Sequence, residues 1–224
     1  MFEEFEVFSK VFDETTLKAL YYLRNSRILK GIVGIVKEGK ESVVFSAKDF
    51  NNNWIAIKIY RILHIDFKQM YNLLIIDSRY KRIKRDRKNV VFSWCNREYR
   101  NLALAYKNKI TVPKPLGSYA NVLVMEFVGE NGISAPLLKD VEPNYEIYKK
   151  IIENLKKLKS IGLSHGDLSE YNILVKENIP YFIDFSQGVR EDSLVFEEHF
   201  KKDLENINKF FSKYLDSNLL VYEI

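Results

Sequence analysis

The chain has 224 residues, 46% of them apolar, enough for a core of its own as one two-lobed domain or two small ones. No apolar run approaches the roughly 18 residues of a membrane span, and the start Met1-Phe2-Glu3-Glu4-Phe5-Glu6 carries acids where a secretory leader would be basic. Cys95 is the single cysteine, which excludes an intrachain disulfide and makes a reducing, cytoplasmic setting the expectation; three histidines without ligand spacing to it argue against zinc.

The net charge of +5 is concentrated. Between Arg79 and Lys88 stand Arg79, Lys81, Arg82, Lys84, Arg85, Arg87 and Lys88 against Asp86 alone, a local balance of +6 that leaves the rest of the chain at −1. This segment is the natural candidate for contact with a phosphate backbone, against the plainer reading of a solvated loop.

Asp13 as an N-cap, Glu14 in the first turn and repeated apolar positions predict a helix through about Asn25. Gly31 to Val36 reads as a strand, Lys37-Glu38-Gly39-Lys40 as a hairpin turn, and Glu41 to Ala47 as the returning strand. After a turn at Asn51-Asn52-Asn53, a third strand is predicted from Trp54 to Tyr60, with Ile55, Ile57 and Ile59 on one face and Trp54, Ala56, Lys58 and Tyr60 on the other. A lysine at the centre of such a strand needs a phosphate or a carboxylate beside it. At the hairpin tip, backbone N–H groups near Gly39, the Ser42 hydroxyl and Lys40 suit phosphates, although Gly31, Gly34 and Gly39 depart from the spacing G-x-G-x-x-G.

A helix is predicted from about Ser93 to Lys107, with Leu102, Ala105 and Tyr106 continuing an apolar stripe. Val112 to Leu116 and Val122 to Val128 flank a turn from Gly117 to Asn121 and complete a five-stranded antiparallel sheet; Gly129-Glu130-Asn131-Gly132 reads as a hinge. Asn144 to Lys159 carries Ile147, Ile151, Leu155 and Leu158 at helical spacing, with Gly162 as a stop.

The chemistry concentrates after that helix. Asp167 and Asn172 stand on a polar loop ahead of the apolar run Ile173-Leu174-Val175; a turn at Glu177-Asn178 and a second apolar run deliver Asp184. Paired as a hairpin, the two runs bring Asp184 beside Asp167 and Asn172, oxygen ligands suited to Mg²⁺ or Mn²⁺ shared with phosphate. The plainer reading makes them turn residues and His165 a core histidine. The remainder holds one helical segment, about Phe196 to Tyr214, so this end of the chain is minimal.

His165-Gly166-Asp167-Leu168 through Asn172, followed by Ile183-Asp184-Phe185, resembles the catalytic loop and metal motif of protein-kinase-like enzymes, with Gly166 where many protein kinases carry Arg. Ile55-Ala56-Ile57-Lys58 resembles their V-A-I-K. Further segments are Gly39-Lys40-Glu41-Ser42, Asn96-Arg97-Glu98-Tyr99-Arg100-Asn101-Leu102, Val124 to Gly132, Ala135 to Val141 and Ser164 to Asn172. Together they resemble the RIO family of atypical serine/threonine kinases over nearly the whole sequence. The likeness is to its first, archaeal-type branch, because thirty residues before Gly31 cannot hold a winged helix.

This resemblance implies an α+β, two-lobed protein-kinase-like fold: a helical extension over 1–30, an N-lobe over 31–128, a hinge at 129–132 and a truncated, mainly helical C-lobe over 133–224. It implies ATP and Mg²⁺, or Mn²⁺, as cofactors. Lys58 holds phosphates with Glu98 as its partner, against the plainer reading of Glu98 as an exposed helix residue. Gly39, Lys40 and Ser42 cap the phosphates, and Met125, the Glu126 carbonyl and the Val128 amide meet the adenine. Asp167 is the catalytic acid/base, Asn172 and Asp184 bind metal, and Asp184 can itself take the phosphoryl group. The resemblance further implies serine/threonine autokinase or ATPase activity in small ribosomal subunit maturation, with pre-ribosomal rRNA met by a flexible basic insert between the third strand and the following helix, where Arg79 to Lys88 falls. No membrane or DNA partner is expected. Lys37-Glu38 stand where this branch usually has Ser-Thr, which removes hydroxyls from the phosphate loop. Two other readings stay open: a small-molecule, aminoglycoside-kinase-like phosphotransferase, and a nucleotide-gated RNA-binding assembly factor with little turnover.

Overall fold

The computed structural model describes residues 12–63 and 66–224. The acidic start Met1 to Glu6, read above as unlike a leader, lies outside them. Helix α1 (Glu14–Asn25) begins where its cap dictates: the Asp13 carboxylate accepts from the Thr15 and Thr16 amides. Strands β1 (Gly31–Glu38), β2 (Ser42–Lys48), β3 (Trp54–Tyr60), β4 (Pro115–Tyr119) and β5 (Val122–Glu126) form one antiparallel sheet in the order β1-β2-β3-β5-β4.

β3 lies at the centre, so both of its faces are covered. Ile55, Ile57 and Ile59 pack with Val122, Val124, Ala19, Leu20 and Leu23, which puts α1 on the outer face. Ala56 and Tyr60 belong to a second core that continues through α3 (Arg87–Lys107) into α4 (Tyr145–Ser160) and α5 (Phe196–Phe211). One apolar core therefore runs from the sheet into the helical half, which also carries the hairpin β8 (Ile173–Lys176) and β9 (Ile179–Phe182). Its two-residue turn has Glu177 and Asn178 at φ 52° and 59°, the left-handed pair that matches strand twist.

Several expectations shift. α3 begins at Arg87, six residues before the expected Ser93, because the Asp86 carboxylate caps it by accepting from the Asn89 amide. The stretch expected as a flexible insert also contains a helix, α2 (Phe67–Ile75), and a 3₁₀ turn over Ser78–Tyr80. β4 runs through Gly117, which was read as a turn; the glycine is there because a side chain would meet Ile28 at 2.8 Å, and Ala120 at φ 50° makes the turn instead. The final helix stops at Phe211, short of Tyr214. Gly129–Glu130 (β6) and Ile133–Ser134 (β7), within and just after the expected hinge, pair as a small hairpin.

No helix among the described residues is long and apolar enough to cross a membrane. Leu23 is 1% exposed beneath the sheet while Tyr21, two positions away, is 57% exposed. Leu23→Ala should therefore cost about 2–4 kcal/mol in denaturant unfolding, and Tyr21→Ala less than about 1 kcal/mol.

Candidate active site

Lys58 stands in mid-strand on the inner face, with Val44 and Leu123 as its neighbours across the ladder. Only 6% of its side chain is exposed, and its Nζ donates to Glu98 Oε1 at 2.9 Å and to Asp184 Oδ1 at 2.8 Å. Glu98 is buried on α3, which removes the exposed-helix alternative, and its second oxygen accepts from the Tyr60 hydroxyl. Burial works against the Lys58 charge, but Asp184 and Glu98 outweigh it and hold the ammonium above the ordinary lysine value. Burial also opposes charge on Asp184, and Lys58 with the Ser186 hydroxyl overrides it, holding that carboxyl down at about 2. Burial pushes the Glu98 carboxyl up, against Lys58 and Tyr60.

The same helix grips the backbone after Asp184. Arg97 Nε donates to the Ser186 carbonyl at 2.7 Å, and Arg97 Nη1 to the Leu73 carbonyl at 2.7 Å. One turn on, Asn101 Nδ2 donates to the carbonyls of Phe185 and Gly188. Asp184 itself sits at φ 66°, ψ 64°, a left-handed conformation unusual for a carboxylate residue and sustained by these contacts.

The loop from His165 to Asn172 is held from α5. Asp203, 0% exposed, accepts from the amides of His165 (3.0 Å), Gly166 (2.8 Å) and Leu168 (2.8 Å). Burial pushes its carboxyl up to about 7 against those three donors. His165 is buried and neutral, its pKa lowered to about 4 by desolvation, and its Nε2 meets the Ile183 carbonyl at 2.9 Å. Asn172 Nδ2 donates to the Asp167 carbonyl (2.8 Å) and carboxylate (3.3 Å), which fixes those two residues relative to each other. Burial and then the Asp184 charge raise the Asp167 pKa, Lys202 and Asn172 opposing, so Asp167 is a stronger base than an ordinary aspartate.

A cleft of about 440 Å³ opens between sheet and loop. Gly39, Ser42, Lys58, Glu98, Met125, Glu126, Val128, Asn172 and Asp184 all line it. Asp167 is not on that lining and is tied to it through Asn172. Lys40 is exposed at the hairpin tip, outside the lining, because the Gly39 amide bonds back to the Ser42 carbonyl and leaves Lys40 at the apex. The residues suit a hard cation shared with phosphate: both Asp184 donors fall on Oδ1, leaving Oδ2 to the cleft, and the Asn172 amide nitrogen is spent on Asp167, leaving its oxygen.

Of the seven basic residues between 79 and 88, six are exposed. Arg79 is half-buried and clamped by its Nε on the Asp77 carboxylate at 2.9 and 3.1 Å.

Sequence reasoning missed Asp203, Arg97 and Asn101 as parts of the site. Asp203 had a signal, since it falls at helical spacing inside the apolar stripe Phe200, Leu204, Ile207, Phe211, where an unpaired acid is costly. Gly166 is explained by the same region. It lies at φ +80°, and a side chain would meet the Gln187 carbonyl at 2.7 Å and His199 Nδ1 at 3.0 Å. Gly166→Arg should therefore destabilise the fold by about 2 kcal/mol or more, as read by thermal unfolding; a variant as stable as wild type contradicts this packing.

Comparison with known proteins follows the same line. The RIO domain matches residues 43–223. The chain is 43% identical over 214 residues to the RIO-type serine/threonine-protein kinase Rio1 of Methanocaldococcus jannaschii, covering 94% of this chain and 73% of that protein. It is 34% identical over 161 residues to Rio1 of Thermoplasma acidophilum, covering 72% and 86%, and 32% identical to human RIO1, covering 96% and 39%. In fold it is similar to the Rio2 kinase of Chaetomium thermophilum, with TM-score 0.71 at 23% identity over 91% of this chain and 64% of that one. A second structure of that kinase, described as an ADP/Mg²⁺-phosphoaspartate complex, gives TM-score 0.67 at 22% identity over 89% and 60%. The chain belongs to the RIO family of serine/threonine-protein kinases, with Rio1-type proteins among its relatives.

Proposed function

We propose that the protein is a Mg²⁺-ATP-dependent serine/threonine kinase that also hydrolyses ATP and acts in the cytoplasm on maturing small ribosomal subunits. The observation that carries the phosphotransfer reading is Lys58 held between Glu98 and Asp184 in a cleft of nucleotide size. Lys58 and the Ser42 hydroxyl take the phosphates, with Gly39 lining the cleft beside them. Met125, the Glu126 carbonyl and the Val128 amide take the adenine. Asn172 and Asp184 hold the metal, Mg²⁺ or Mn²⁺, which when bound neutralises phosphate charge. Asp167 accepts the proton of a serine or threonine hydroxyl, or of water. The similar Rio2 structure described as a phosphoaspartate complex supports a further step here, in which an Asp184 carboxylate oxygen takes the γ-phosphoryl group of ATP and ADP leaves.

The test is incubation with γ-labelled ATP and Mg²⁺. Wild type is expected to label itself and release phosphate, with label at Asp184 lost under hydroxylamine and label on serine or threonine retained. Asp167→Asn and Asp184→Ala should each lose roughly a hundredfold or more of turnover. Because Asp167 is raised, the acidic limb of the pH profile lies above the ordinary aspartate range, with turnover rising as pH climbs through it. Full activity in Asp184→Ala ends this reading, and faster transfer to a sugar or aminoglycoside hydroxyl than to protein moves it to a small-molecule phosphotransferase.

The exposed charges Lys81, Arg82, Lys84, Arg85, Arg87 and Lys88 support a second, compatible role in which nucleotide state gates an RNA-bound assembly factor. Replacing those six by serine should weaken rRNA binding and flatten its salt dependence while ATP turnover persists. Unchanged binding sinks the RNA assignment alone.

A further inference from the structure

The β1–β2 hairpin sorts its charges between the two faces of the sheet. In a regular strand side chains alternate, and Ile35, Val36, Lys37 and Glu38 would point out, in, out and in with respect to the cleft. The β1–β2 register slips between Ile35 and Lys37, and a bulge of this kind breaks the alternation. Val36 and Lys37 consequently both line the cleft, with Gly39, Ser42, Lys58 and Asp184. Ile35 and Glu38 line a separate groove on the opposite face, where Glu38 is paired with Arg61. The bulge thus brings a cation into the cleft and turns an anion out of it.

Lys58 is already shared by two carboxylates. Lys37 is exposed and makes no ion pair with the described residues. We propose that Lys37, placed by the bulge, is a second phosphate-binding cation of this cleft and favours nucleotides with longer phosphate chains. The inference rests on the ATP-site reading and adds to it a residue outside the strand-centre lysine and the glycine turn. An exposed ammonium at the rim meets the charged end of a ligand and ignores its base and sugar, so its contribution grows with the number of phosphates and shrinks with salt.

Calorimetric affinities of ATP, ADP and adenosine for the full chain test this. Lys37→Ser should weaken ATP by roughly three- to tenfold, ADP by less, and adenosine not at all, with the ATP loss smaller at high salt. Lys37→Arg should restore ATP affinity, and Glu38→Gln, on the far face, should leave it within about twofold. Equal weakening of all three ligands, unchanged ATP affinity in Lys37→Ser, or a Glu38→Gln effect as large as that of Lys37→Ser overturns the proposal. Wild type that binds no ATP removes the site reading itself, a result distinct from each of these.

Discussion

A buried ammonium between two carboxylates is the constraint on which the rest of this structure depends. Lys58 is taken out of water at the centre of a five-stranded sheet, where an unpaired charge would cost several kcal/mol. Glu98 and Asp184 make that burial tolerable, but they come from opposite sides of the cleft: one from α3, the other from the turn after β9. Losing either carboxylate leaves the lysine with a single partner. The ion pairs therefore tie the two halves together across the cleft.

α3 carries that constraint into the loop after Asp184. Glu98 faces Lys58, Arg97 and Asn101 bind the backbone of residues 185–188, and Trp94 stacks against the Arg97 guanidinium at 4.3 Å. Three neighbouring positions on one helix thus join the strand lysine to the backbone after Asp184. The cost is visible in Arg97, which is wholly buried and lowered to about 10 by desolvation. Asp203 does the corresponding work on the other side, where the amides of His165, Gly166 and Leu168 converge on one carboxylate. With both loops held by buried hydrogen bonds, the protein does not need a charged arginine beside Asp167, and Gln187 and His199 fill the space one would occupy.

How far the sequence could be read depended on whether a residue's partner was local. β3 was legible to the residue, since β-branched alternation and two covered faces are properties of seven consecutive positions. α1 was legible for the same reason, its cap lying within three residues of its first turn. The start of α3 was not, because lysine and arginine are good helix formers that in a charged run look like solvated loop, and only the Asp86 cap decides. Gly117 reads as a turn until Ile28, nearly ninety positions earlier, is seen to need its space. Lys58, Asp167, Asn172 and Asp184 stood out through their motif, whereas Arg97, Asn101 and Asp203 act on backbone atoms far along the chain and carry no pattern of their own.

The charge of the cleft gives a last step. Lys58 is outweighed by its two carboxylates, so before any ligand arrives the inner site is negative by one. A nucleoside triphosphate brings several more negative charges to the same place. On the proposed reading the Ser42 hydroxyl redistributes that charge without cancelling it. On the proposed reading a divalent cation is needed for binding itself, ahead of any role in chemistry, and Asp184 can serve it because Lys58 keeps the carboxylate ionised down to about pH 2. The bulge that turns Glu38 away from the cleft belongs to the same balance: with the inner site already anionic, a further carboxylate on its rim would work against the ligand at every step of approach.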